Sequence, residues 1–386
     1  VPEGTELCEV CRTAEVPKLD LDMIGEPSFI KLRGSASFPG LLEADPVPFC
    51  GRGHELERLC ALVEATLTRN KLHCALVHGA PGAGKTRLLN ELCRLCVDHL
   101  GLPRARILTG TMHGETASPL SAFAEQLRAR CDIQIAEQPP SAREKLLRTC
   151  RTLLPAVRAA EVAYSLSELL GIPSADSVGL VSGSTSARGA ERAATGEPRL
   201  YVALKRFFGS DAARAPLILL FDEMEQATDE TLSLVYYLLE SLTDVPVFVG
   251  LFARSEFLEQ NPDCDSGTSS LLRIELLPMP KAESVELFCA AVSAEPAELP
   301  SRLLAKLEEH ADGSPRQLIE FLHVLSESRV LSWEGTAAAG LHPALQAKWN
   351  LQRLEELTLP PRLELPKLCE ARLDVMAKAA AALLEK

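Results

Sequence analysis

The stretch "HCALVHGAPGAGKTRLLNELCRLC", residues 73–96, decides the fold. It opens as a short apolar run, turns through Gly79, Gly82 and Gly84, and continues with Leu88, Leu89, Leu92 and Leu95 at helical spacing. Between run and helix, "GAPGAGKT" (79–86) fills every fixed position of GxxxxGK[ST]. In a strand–loop–helix setting that pattern is a phosphate-binding loop. Its glycines let consecutive backbone N–H groups of Gly79, Ala80, Pro81, Gly82, Ala83, Gly84 and the helix start at Arg87 wrap an anion, proline excepted as a donor. Lys85 can reach the β- and γ-phosphates, and Thr86 can offer a hydroxyl to Mg²⁺. The helix N-terminus adds a field that favours negative charge. A plain Gly/Pro turn before a helix is the blander reading, and the filled positions and flanks argue against it.

Four further runs resemble buried strands: "ARILTGT" (105–111), "PLILLFDE" (216–223), "VPVFVGLFAR" (245–254) and "LLRIELLPM" (271–279). Helical patterns separate them, including "GHELERLCALVEATL" (53–67), "SPLSAFAEQLRARC" (118–131) and "SAREKLLRTCRTLL" (141–154). Alternation of this kind predicts an α/β fold with a parallel sheet. From about residue 281 the pattern is helical: "KAESVELFCAAV", "PSRLLAKLEEHA" and "SPRQLIEFLHVLSES", then a hairpin strand in "RVLSWEG". The expected organisation is a linker or upstream tail over 1–45 and a core over 46–280. A helical lid over 281–335 follows, then a connector and terminal helix over 336–386. Residues 181–198, rich in Gly, Ser and Ala, have the composition of a mobile loop. The start at Val1 without a leader, and a last helix with no stop signal, are what a piece of a longer chain is expected to show.

A phosphate loop needs a carboxylate at a neighbouring strand end, and "FDEMEQATDE" (221–230) follows an apolar run directly. Asp222 at the strand end can hold the Mg²⁺ shell. Glu223 can take a proton from an attacking water or orient it. Binding alone needs the first acid, so the pair favours hydrolysis. Glu225, Asp229 and Glu230 read as ordinary charges near a helix start, where the dipole favours acids. Arg254 ends the next strand, where a cation could sense or stabilise the γ-phosphate; a solvated arginine is the other reading.

The 386 residues carry a net charge of −13, which argues against a broad nucleic-acid surface. No run of about 18 apolar residues occurs, so no membrane span is expected. The 12 cysteines lie among apolar residues and read as reduced thiols of a cytoplasmic protein. Cys8 and Cys11 have half of a zinc-site spacing with no second pair following. Cys93, Cys96 and His99 fall on one face of a helix and read as packing.

The ordered segments "VPFCGRGHELERL", "GAPGAGKT", "PLILLFDEMEQATDETLSLVYYLL", "VFVGLFARSE", "LPMPKAESVELF" and "HADGSPRQLIEFLHVL" together resemble the signal-transduction ATPases with numerous domains. The similarity covers roughly residues 46–386 and points to the maltose-regulator/LuxR-type, adenylate-cyclase-associated or kinase-fused branch. It implies a P-loop NTPase core of the ASCE/AAA type with a helical lid. It further implies that Phe49, Gly51 and Arg52 line the adenine side, that Arg254 is a sensor arginine, and that Gly313, Ser314 and Pro315 form a lid element against base or sugar. Where that branch carries His or Gln and then Trp after its two acids, Glu225 and Gln226 stand here, and Thr228 replaces an acid.

The expected function is an ATP-hydrolysing switch. Mg²⁺ and ATP or ADP would lie between core and lid and govern protein partners or self-association, without nucleic acid or membrane. Lys85, Glu223 and Arg254 would be catalytic, and Thr86 and Asp222 would hold the metal. Two other readings stay open: an AAA+ ATPase acting on nucleic acid, and a scaffold that holds nucleotide without hydrolysing it.

Overall fold

The apolar runs become five strands: β1 (His73–Gly79), β2 (Arg106–Thr111), β3 (Leu217–Asp222), β4 (Val247–Ala253) and β5 (Leu271–Leu276). This computed structural model describes residues 21–22, 31–32, 49–100, 105–112, 119–173, 198–262, 271–310, 313–334 and 346–356. The strands form one sheet in the order β2-β3-β4-β1-β5, with every neighbouring pair parallel. The inner strands β3, β4 and β1 are buried at every residue, whereas the edge strands β2 and β5 are buried only in part. Inner strands covered on both faces have no solvent side to furnish with polar residues, which is why their sequences read as near-continuous apolar runs.

The chain divides into two compact units. One holds Arg52–Met279 together with Gly313–Arg316; the other holds Val1–Gly51, Pro280–Asp312 and Gln317–Lys386. In the first, α1 (Gly53–Arg69) buries Leu56, Leu59, Val63 and Thr66 and packs against α2 (Lys85–Leu100) and β1. The larger core lies between the sheet and α3 (Ser121–Cys131), α4 (Pro139–Leu153), α5 (Ala156–Leu169), α6 (Arg199–Ala212) and α7 (Asp229–Ser241). Phe123 and Phe221 meet there with ring centroids 5.1 Å apart.

Two of these helices carry a weak signal in the sequence and are additions to the expected set. The buried face of α5 consists of Ala159, Val162, Ala163, Leu166 and Ser167, too small and mixed to stand out as an apolar stripe. The buried face of α6 includes Val202, Phe207 and Phe208, residue types whose χ1 freedom a helix restricts. Most of the Gly/Ser/Ala-rich stretch before it, residues 181–197, lies outside the described residues, as do Cys8, Cys11 and the terminal helix expected after residue 363.

The second unit contains α9 (Lys281–Val292), α10 (Ser301–His310), most of α11 (Pro315–Glu327), the antiparallel hairpin β6 (Leu331–Glu334)/β7 (Gln346–Trp349), and α12 (Leu351–Glu356); the five-residue α8 (Glu256–Gln260) belongs to the first unit. Phe288 of α9 packs on Phe321 of α11 and stacks on Trp349 at 6.4 Å. The expected hairpin strand in "RVLSWEG" is β6. Among the described residues, no helix is long and apolar enough to cross a membrane.

One ion network ties the sheet edge to two helices. Asp211 of α6 has no exposed side-chain surface, and it accepts two hydrogen bonds from Arg130 of α3 (Nε, 2.7 Å; Nη2, 2.8 Å) and one from Arg106 of β2. Removing the carboxylate leaves two guanidinium groups facing each other without a counter-charge, which is costlier than losing hydrogen bonds alone. Asp211→Ala is expected to lower unfolding stability by about 3 kcal/mol, read from urea or guanidinium denaturation midpoints at unchanged slope.

Candidate nucleotide-binding site

The sheet register brings the candidate residues to one edge. β1 lies beside β4, with His78 opposite Ala253, and β4 lies beside β3, with Phe221 opposite Leu251. The three strands therefore end together, and the segments leaving them are the loop 79–86, Arg254 and the acidic turn at 222–226. The chain has crossed from β4 over β1 to reach β5, and such crossings leave a crevice at the carboxyl ends of parallel strands.

The loop after β1 has the predicted form. Gly82 (φ 82°) and Gly84 (φ 97°) take left-handed conformations that a side chain would resist. Ala83 N–H bonds Ala80 O, and Leu88 N–H bonds Gly84 O, so Gly84 starts α2. The first N–H groups of α2, those of Lys85 and Thr86, then have no acceptor within the helix. Lys85 Nζ donates to Gly79 O (2.9 Å) and Ala80 O (3.0 Å), lying across the loop. Burial lowers the Lys85 ammonium below the ordinary lysine value; Glu225 opposes that shift, Arg254 adds to it, and Asp222 opposes it.

Across the crevice, Thr86 Oγ1 donates to Asp222 Oδ2 at 2.7 Å. The other Asp222 oxygen accepts the N–H of Glu223 at 2.9 Å. Convergence of a hydroxyl and a carboxylate oxygen at one point suits a hard cation such as Mg²⁺, which takes few protein oxygens and fills its shell with phosphate and water. Among the described residues, no group of three or more His, Cys, Asp or Glu forms a metal cluster; the Thr86 hydroxyl and Asp222 carboxylate are oxygen donors of the kind such an ion takes. Glu223 has φ 56°, ψ 40°, and Gln226 Nε2 donates to its carboxylate at 3.3 Å.

The description "AAA ATPase domain" matches residues 48–250. The chain belongs to the AAA ATPase domain family. No curated protein matches it. Among solved structures, Cdc6p from Pyrobaculum aerophilum is similar at 15% identity and a TM-score of 0.43, over 75% of this chain and 64% of that one. The Drosophila ORC bound to DNA gives 14% and 0.43, over 80% and 64%. A signal-transduction ATPase with a tetratricopeptide repeat sensor from Pyrococcus horikoshii gives 17% and 0.36, over 75% and 31%. This AAA domain chain spans less than two thirds of the length of each of these.

Other predicted residues have different settings. The Arg52 side chain is buried, donating to Glu55 Oε1 (3.2 Å) and to the Leu277 carbonyl, so its guanidinium is engaged in packing α1 against the end of β5. Phe49 and Gly51 fall in the second compact unit. Gly313–Arg316, which the sequence places inside the lid segment, cluster with the core and rest on the loop. Ser314 Oγ (3.4 Å) and Arg316 N–H (3.3 Å) both donate to Gly82 O, and a Cβ on Gly84 would stand 3.8 Å from Pro315 Cγ.

One expectation is overturned. Glu225 is not a charge in a helix's first turn: Thr228 is the N-cap of α7, so only Asp229 and Glu230 occupy that turn. Glu225 sits in the 3₁₀ turn Met224–Gln226 and grips Arg254 through Nε (2.8 Å) and the main-chain N–H (3.0 Å). The capping threonine was a readable sign that Glu225 lies outside the helix. His78 was not singled out in the sequence. Its Nδ1 is buried without a hydrogen-bond partner among the described residues, and burial lowers its pKa, with Glu275 opposing and Arg273 and Lys85 reinforcing.

Gly313 anchors the segment over the loop. Its φ is 72°, its carbonyl accepts Met279 N–H (2.8 Å), and a Cβ there would come within 2.6 Å of Met279 N and O. Gly171 has a similar φ (67°) with open space around it. Gly313→Ala is expected to lower stability by about 1–3 kcal/mol and to speed hydrogen exchange at Arg316. Gly171→Ala should cost less and leave that amide unchanged.

Proposed function

We propose that this AAA ATPase domain is a nucleotide-hydrolysing switch of a signal-transduction ATPase, in which Mg-ATP controls protein partners or self-association. The observation that carries the reading is the Thr86–Asp222 contact at 2.7 Å between the phosphate-loop helix and the end of β3, with Glu223 next in the chain. A loop serving only as a turn has no need of a carboxylate brought to its threonine from a strand 136 residues away.

Each group has one task. The N–H groups at the start of α2 donate to phosphate oxygens, and Lys85 adds a cation beside them. Thr86 and Asp222 would hold Mg²⁺, which would supply positive charge to neutralise the phosphate oxygens. Glu223 accepts a proton from a water whose oxygen attacks the γ-phosphorus; the bond to the β–γ bridging oxygen breaks, and ADP and phosphate form. Gln226 Nε2, at 3.3 Å, steadies the Glu223 carboxylate. Arg254 follows β4, the strand between β3 and β1, with its Nε 2.8 Å from Glu225 in the acidic turn. For a switch, the triphosphate must bind one conformation more tightly than the other.

Lys85→Ala is expected to abolish ATP and ADP binding by calorimetry, and unchanged affinity overturns the phosphate-loop reading. Glu223→Gln is expected to keep ATP binding while cutting turnover by at least about 100-fold; wild-type turnover in that variant removes Glu223 from the chemistry. Hydrolysis that rises on adding DNA would favour action on nucleic acid instead.

A further inference from the structure

Arg254 ends β4 with its side chain 45% exposed, yet it is held at two points by one nearly buried acid. Both oxygens of Glu225, a side chain only 11% exposed, are spent on it: Oε1 forms an ion pair with Nε at 2.8 Å, and Oε2 accepts the main-chain N–H at 3.0 Å. Among the described residues, the Arg254 Nη1 and Nη2 groups make no hydrogen bond, so the terminal fork of the guanidinium remains available to two oxygens of a phosphate group. Glu225 is itself fixed. Its turn is closed by Gln226 N–H on Glu223 O (2.8 Å) and Ala227 N–H on Met224 O (3.0 Å), with Met224 buried beneath.

We propose that Glu225 is the positioning residue that presents the free fork of Arg254 to the terminal phosphate of a nucleoside triphosphate, and so lets the site tell triphosphate from diphosphate. This rests on the nucleotide-binding function proposed above. A long side chain loses rotamer freedom when it engages a ligand. Glu225 has removed much of that freedom beforehand and holds the fork at a single place at the end of β4. A diphosphate, bound through the loop and Lys85, has no group to reach that place. The arrangement also has an asymmetry. Without Arg254, the Glu225 carboxylate is left unpaired beside the incoming phosphate and repels it. Without both residues, the repulsion is gone.

The test is a double-mutant cycle on the whole chain with Mg²⁺, using calorimetric affinities for ATP and ADP and steady-state turnover. Glu225→Ala is expected to weaken ATP binding at least about tenfold while ADP affinity stays within about twofold, which also shows the variant is folded. Glu225→Gln should recover part of the loss, since its amide oxygen can accept only one of the two bonds. Glu225→Ala/Arg254→Ala should bind ATP no worse than Arg254→Ala alone. An unchanged ATP-to-ADP ratio in Glu225→Ala, an equal loss for both nucleotides, or single-variant effects that simply add overturns the proposal. A wild-type chain that binds neither nucleotide overturns the underlying function instead, before any variant is read.

Discussion

The parallel pairing of β1 with β4, and of β4 with β3, is the constraint on which the rest depends. Six consecutive residues of β1 face six of β4, and five of β4 face five of β3. A shift of either pairing by one residue would turn each side chain to the opposite, differently packed face and carry the strand ends out of line. Because the register holds, a loop at residue 79, an acid at 222 and an arginine at 254 end up as neighbours. No local preference of those three segments could assemble them. The apolar core and the polar edge are two outcomes of that one alignment.

Legibility in the sequence follows the range of the interactions involved. The strands and the phosphate loop were readable because their signals are local: an apolar run, glycines at fixed spacing, a helix after them. Asp222 was readable at one remove, since a strand end after such a loop calls for an acid. The fates of Arg52 and Glu225 were not. Arg52 is defined by a carbonyl 225 residues away, at Leu277. Glu225 is defined by a residue 29 positions later. In both cases the residue type was compatible with several roles, and only the tertiary partner selects one. The helix α5 escaped for a different reason: alanines pack well against a neighbouring helix but leave little contrast between its two faces.

The charges of this acidic chain are thus divided by environment rather than by type. Asp211 is sealed among arginines and serves the fold. Asp229 and Glu230 sit in the first turn of α7 and favour its dipole. Asp222 and Glu225, three residues apart, are each committed through specific hydrogen bonds, one to a threonine and one to the main-chain N–H of an arginine. A net charge says nothing of this division, since the same count of carboxylates could have been spread over a solvated surface.

The backbone at Glu223 carries a consequence of its own. Its left-handed conformation is one that glycine or asparagine adopts with less strain than glutamate does. Its carboxylate makes a single long hydrogen bond within its own turn and contributes little to packing. Folding by itself gives no reason for a glutamate here, and a glycine would sit more comfortably. The local conformation is therefore held by its surroundings against the residue's own preference, with the acid carried as a passenger of the fold. At residue 223, comfort of the chain and the presence of an acid pull in opposite directions, which is what the role proposed for Glu223 at the crevice would ask of the sequence.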